Sequence, residues 1–454
     1  MKSQPGNGPD GGGFDGGGPG AATGSLVWQQ NLFGMFPNVL VASGPDLYLG
    51  AGQFSTLTLG NTTLVPGGGI DDLSAHFATA DGAVKSAWRH GVASNEEAIG
   101  FAIDPAGNYA IGGLYNGAGN ANFGGADLPP APPPPAGFEA VAASYNEAGT
   151  LRWLTPITGS ALAFPSSTST NSSGLTSVTG RFAGALTIGG QAVGSAAGGT
   201  DAFYAAFDDT GKLVTFVAFG GTGDDQGTVG LFDPLNTVVV AGSFSGQVNF
   251  GTFARDAGND PDVFVVRMTR QGTPMWALQG STAGVSQIVA AVAPGGDIIL
   301  AAGYLGTFQL TGGEKVTSHG DLDIALARIA SDGTVRWTRS FGGGGPDSPR
   351  AIAVGRHDEI ALSAEFEAQA SFGGDTFTSN GGQDAVVAKY TGDGAHVWSH
   401  AAGGAGVDRG LGIAIDDAGA VYAAISFHNA INFGGAPISA ETADYAAAMF
   451  KFAP

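Results

Sequence analysis

The chain has no cysteine in 454 residues. Disulfide bridges, thiol nucleophiles and zinc sites built on Cys are therefore excluded. Basic residues are scarce. Only 18 Lys and Arg stand against 39 Asp and Glu, for a formal net charge of −21. Nucleic acid and anionic membrane surfaces both demand a basic face, so neither is expected as a partner. Charged residues of both signs make up just 13% of the chain. No apolar run is long enough to cross a bilayer, and no apolar export signal follows Met1-Lys2. The chain as given is expected not to insert into a membrane. Nor does any long window show the 3.6-residue period of a helix.

Glycine is abundant, at 79 residues, which suits many tight turns between short strands. An aromatic residue, nearly always Trp, recurs every 60 to 65 residues: Trp28, Trp88, Trp153, Phe216, Trp276, Trp337 and Trp398. A period of this length, rich in short β patterns, marks a repeat architecture. One such unit cannot bury both faces of a small sheet by itself. Residues 25–454 are therefore read as one repeat domain. Residues 1–24 form a flexible tail rich in Gly, Pro and Asn.

Each unit holds four strand-like runs. In the fourth unit they are TVGLF, TVVVAGSF, DVFVVRM and TPMWALQG. The first run is built from small residues elsewhere (GFAID, AIAV, GIAID), as an innermost strand crowded around an axis requires. The second and third are β-branched and aromatic. The third unit departs most, with PSSTSTNSSG standing where the usual loop and first strand belong. Four strands in each of seven units predict an all-β fold, a seven-bladed β-propeller of four-stranded antiparallel blades. The last unit stops at AAAMFKFAP without a Trp strand, while SLVWQQNLF around Trp28 is a spare one. This N-terminal strand is expected to complete the last blade and remove its open edge.

The units resemble bacterial β-propeller repeats of the SBBP type. The likeness rests on WALQG, FGGTGDDQG, FAIDPAGNYAIGG and DAVVAKYTGDG, and it covers residues 25–454. It implies the same fold and an exported or surface protein, with no assigned chemistry.

Two sets of carboxylates stand out. Every unit has an acidic residue where its third strand starts: Asp71, Glu139, Asp201, Asp262, Asp323, Asp384 and Asp444. A carboxylate there can accept backbone N–H groups and lock each blade the same way. The second set, Glu96, Asp225, Asp347 and Asp408, lies in the loops that join blades. These are expected to form an acidic rim around the axis. Such a rim would suit Ca²⁺, the one cofactor the sequence suggests, or a basic partner. It could equally be a solvated acidic surface. The seven His residues do not cluster, and no acid–base pair can be named. The reading is therefore a non-catalytic, exported β-propeller, extracellular, surface-bound or periplasmic. It is expected to be a monomer that serves as a binding or structural module for a protein or glycan. The alternative is a hydrolase, lyase or glycan-binding module with its site at the acidic axial mouth. Divergence among equivalent mouth positions would favour this alternative.

Overall fold

The computed structural model describes residues 22–91, 95–116, 121–125, 127–131, 137–440 and 445–454. Asp444 and most of the N-terminal tail lie outside the described residues. Among the described residues all regular structure is β-strand. In the fourth unit the expected runs become Gln226–Phe232, Thr237–Phe244, Asp262–Thr269 and Pro274–Ser281, paired in that order. The middle two strands are buried on both faces, which explains why Val238, Val239, Val240 and Ala241 run apolar without alternation. The turn before Thr237 is closed by Asp233, whose Oδ1 accepts the N–H groups of Leu235 and Thr237, both at 2.9 Å. Asp104, Asn171 and Asp416 repeat this turn in other units.

The leading strands of the units lie side by side around a common axis. They are Met35–Ser43, Asn95–Ile103, Leu162–Thr170, Gln226–Phe232, Val285–Val292, Ser348–Val354 and Arg409–Ile415. Each packs against the next, and Arg409–Ile415 packs against Met35–Ser43. Together they line a cavity of about 370 Å³. This is a propeller-type arrangement of small antiparallel sheets. In the last unit, Tyr445–Phe452 takes Leu26–Asn31 as its outer neighbour, with Gln29 opposite Phe450.

The periodic Trp has a definite task. Gly82, Gly149, Gly211, Gly333 and Gly394 occupy the turns that precede an outer strand, all at positive φ. The nearest atoms above each are those of the preceding unit's Trp28, Trp88, Trp153, Trp276 or Trp337, with Arg339 sharing the space at Gly394. Gly24 is covered by Trp398 in the same way. A side chain at these glycines would be both strained and obstructed. Phe216 differs. It is five residues after its turn glycine, Gly211, where Trp153, Trp276, Trp337 and Trp398 are four after theirs. One extra residue turns a strand position to the other face. Phe216 therefore packs on Phe182, with ring centroids 6.5 Å apart, and Val217 covers Gly272 instead.

Two features differ from the sequence reading. The third unit keeps its first strand: Leu162–Thr170 contains PSSTST and pairs with Thr176–Ile188. Its hydroxyls hold the neighbouring units directly. Thr170 Oγ1 donates to the Ile103 carbonyl at 2.9 Å, and the Ser169 Oγ accepts the Phe232 N–H at 3.1 Å. Polar contacts between strands thus replace apolar packing. Several units also insert a short two-stranded ribbon after the second strand, such as Gln247–Phe250 with Phe253–Asp256. Phe250-Gly251 forms its tip.

Candidate functional site

The carboxylates at the third-strand starts accept backbone N–H groups. Asp71 accepts from Gly67, Glu139 from Gly159, Asp201 from Ala197, Asp262 from Thr282, Asp323 from His319 and Asp384 from Asn380, at 2.5 to 3.2 Å. The second set does not form an exposed rim, and that expectation is corrected. Glu96, Asp225, Asp347 and Asp408 are at most 1% exposed. Each sits inside a junction beside a third-strand acid. A methyl group at Gly342 would lie 2.5 Å from Asp347 Oδ2 and 2.8 Å from Asp323 Oδ1. At Gly403 the corresponding atoms are Asp384 Oδ1 at 2.5 Å and Asp408 Oδ2 at 2.7 Å, and at Gly91 they are Asp71 Oδ1 at 2.8 Å and Glu96 Oε2 at 3.1 Å. Gly221 and Ser245 donate backbone N–H groups to Asp225, at 2.8 and 3.2 Å.

Acids packed in pairs away from water hold protons more tightly. Burial, aided by the Asp323 charge, pushes Asp347 up to about 8. Burial likewise pushes Asp225 and Asp384 up to about 6 and Glu139 up to about 7. Burial also raises Asp408. Among the described residues, no group of three or more His, Asp or Glu side chains is arranged to hold a metal ion.

A second polar set lies one residue further along four of the leading strands. Alternation turns the residue after each junction acid the other way. These residues are Glu97, Gln226, Ser348 and Arg409, at the end of the cavity where the leading strands begin. Asn38 lines the cavity and donates to Glu97 Oε1 at 3.0 Å. Burial raises the Glu97 carboxyl against the opposing effect of that hydrogen bond. Arg181 Nη1 donates to Gln226 Oε1 at 2.8 Å. Ser286 and Ser348 hydroxyls meet at 3.1 Å. Arg350, which also lines the cavity, places Nη2 2.5 Å from Glu365 Oε1. Arg409 Nε lies 3.4 Å from Glu365 Oε2. Arg181, Arg350 and Arg409 were not singled out in the sequence. The signal was present in the second strands. Each second strand ends near an aromatic, Phe54, Tyr115, Phe182, Phe244, Tyr304, Phe366 and Phe427, and the residue before it is Gln53, Leu114, Arg181, Ser243, Gly303, Glu365 and Ser426, nearly all different in a chain that otherwise repeats itself.

A separate buried set was also missed. Asp72 is fully buried, and neither carboxyl oxygen has a hydrogen-bond partner. The other units have Ala140, Ala202, Val263, Ile324, Ala385 and Tyr445 at its position. Opposite Asp72 on the next strand is His90. Its Nε2 lies 2.9 Å from the Tyr109 hydroxyl, and its ring stacks on Tyr145 at 4.0 Å. Burial raises Asp72 well above the carboxylate range and lowers His90 to about 4. The set is enclosed between the first and second units, and the nearby Glu97 charge helps to raise Asp72.

No family model matches the chain, and no curated protein does. Similar solved structures include a europium-containing methanol dehydrogenase, with 9% identity and a TM-score of 0.43 over 95% of this chain and 93% of that one. The propeller domain of the Trilobed protease from Pyrococcus furiosus has 9% identity and a TM-score of 0.42, over 91% and 98%. A polysaccharide lyase of family PL25, an ulvan lyase, has 10% identity and a TM-score of 0.42, over 87% and 93%. The expectation of a non-catalytic module is corrected. Enzymes stand among the similar structures, including dehydrogenases, a lyase and a puromycin hydrolase, so they lend a non-catalytic role no support.

Proposed function

We propose that the chain is a seven-bladed β-propeller of SBBP-like repeats, closed by Leu26–Asn31, that binds a glycan at its axial mouth and cleaves it as a hydrolase or lyase. The pairing of Leu26–Asn31 with Tyr445–Phe452 and the ring of leading strands support the closed architecture. One observation carries the function. Positions that serve folding repeat from unit to unit, whereas equivalent positions at the mouth diverge to Glu97, Arg181, Gln226, Glu365 and Arg409. A pure scaffold has no reason to vary there. Glu97 is the proton-transferring group in this reading, because burial raises its carboxyl and Asn38 orients it at the mouth. Arg350 and Arg409 supply positive charge opposite it. We infer that the protein acts as a monomer outside the cytoplasm, at the cell surface or in the periplasm. The Gly- and Pro-rich tail supports this as a tether.

The test is a panel of neutral, uronate-bearing and sulfated polysaccharides incubated with purified protein. New reducing ends report hydrolysis and ultraviolet absorbance of unsaturated products reports elimination. Glu97→Gln is expected to lower turnover by about 100-fold or more while the protein stays folded. Neither binding nor cleavage of any member would overturn the proposal. So would turnover that Glu97→Gln and Arg350→Ala leave unchanged.

A further inference from the structure

Resting on the glycan reading of the mouth, we propose that Arg350 and Arg409 form a subsite for a single acidic group, a carboxylate or sulfate, carried by an otherwise neutral sugar chain. The two guanidinium groups reach one carboxylate, Glu365, which is 3% exposed. One negative charge faces two positive ones, so the cluster carries a surplus positive charge. Guanidinium offers five N–H donors in a planar fork. Arg350 meets Glu365 through Nη2 and Arg409 through Nε, which among the described residues leaves the other terminal N–H groups of both forks free. Both a carboxylate and a sulfate present pairs of oxygens that such donors match. Both side chains remain partly open to solvent, at 23% for Arg350 and 38% for Arg409. Arg350 also lines the axial cavity, so a ligand there can touch it.

The rest of the molecule limits how acidic the ligand is. A net charge of −21 repels a densely charged polyanion. Across the mouth, Arg181 is engaged with the neutral Gln226, and Glu97 adds a second carboxyl beside Asn38. Arg181 lies in the field of the Asp224 carboxylate, whereas in the Arg350–Glu365–Arg409 cluster two guanidinium groups share one carboxylate. That matches one isolated acidic group among neutral sugars and sets this ligand apart from nucleic acid.

Titration calorimetry with three size-matched tetrasaccharides tests the proposal: a neutral parent, one bearing a single uronate and one bearing a single sulfate. At low salt we expect one or both acidic forms to bind at least about 10-fold more tightly than the parent. That preference should fall with added NaCl as expected for about one ion pair. Arg350→Ala and Arg409→Ala should each abolish the preference, so that the acidic forms bind no more tightly than the parent. Arg350→Lys keeps the charge but loses the fork, and should retain only part of the preference. Arg356→Ala removes the same charge from an exposed turn and should change nothing. Melting curves confirm that each variant is folded. Uronate binding alone or sulfate binding alone supports the subsite and names the group. Equal binding of all three by the unaltered protein overturns the subsite but leaves the glycan reading standing. Binding of none overturns the glycan reading itself.

Discussion

Replacing Asp347 by Asn should stabilise the protein at pH 8 and leave it unchanged at pH 4. Asp347 is enclosed beside Asp323, and its Oδ2 accepts the Gly343 N–H at 2.7 Å. Its carboxyl is raised from 3.8 to about 8. An acid raised in the folded state contributes stability that is fully present below about pH 4. That contribution is lost as pH rises through about 8. At pH 8 the loss has a ceiling of about 5 kcal/mol, at 1.36 kcal/mol per unit. Asparagine keeps an acceptor for Gly343 and offers a neutral N–H₂ to the Asp323 carboxylate, as a shared proton would. The junction between the fourth and fifth units, where Val285 stands in place of the second acid, already does this. There Gln279 Nε2 donates to Asp262 Oδ2 at 2.6 Å. At about 2.1 cal/mol/K per residue, the unfolding entropy of a chain this size converts each kcal/mol to about 1 °C. The variant should thus melt up to about 5 °C above the unaltered protein at pH 8 and coincide with it at pH 4. Scanning fluorimetry from pH 4 to pH 9 reads the difference curve directly. A difference that is flat with pH, or an Asn variant that melts lower at pH 8, would refute the shared-proton account.

Three further outcomes are expected. Gly149→Ala forces a methyl into the Trp88 indole at a φ of 76° and should cost at least about 2 kcal/mol; a loss below 0.5 kcal/mol in urea titration would mean that the Trp does not clamp the turn. Asp72→Ala, the residue found at this place in several other units, removes a buried carboxyl without partners and should stabilise by about 1 kcal/mol; a lower melting temperature would show that Asp72 has a use in the fold. Deleting residues 1–31 strips Tyr445–Phe452 of its neighbour and should lower the melting temperature of the whole domain, whereas deleting residues 1–21 should not; equal melting of the two would contradict the pairing at this edge.

The fold class was legible because its causes are local and recur. Alternation of small, β-branched and aromatic runs with Asp, Asn and Gly turns makes strands wherever it appears. Seven copies of that pattern average out the noise of any one. The third unit shows where composition misleads: PSSTST looks like a loop, yet its hydroxyls bond to neighbouring leading strands distant in sequence. Phe216 shows the same limit, since a one-residue change in spacing decides which face it occupies. The candidate site was hidden for a related reason. Glu96 and Glu97 are adjacent and chemically alike, but one is sealed in a junction and the other opens on the mouth. Their exposure depends on which unit packs on which face.

By itself, the sequence determined the all-β class, the repeating four-strand unit and the absence of thiol chemistry, because each follows from residue type and short-range spacing. Only the tertiary structure decided that the junction acids lie in buried pairs and that Arg350 and Arg409 converge on Glu365. Those contacts join residues from different units, and burial in a low-dielectric interior, which a linear pattern does not encode, sets their charge and chemistry.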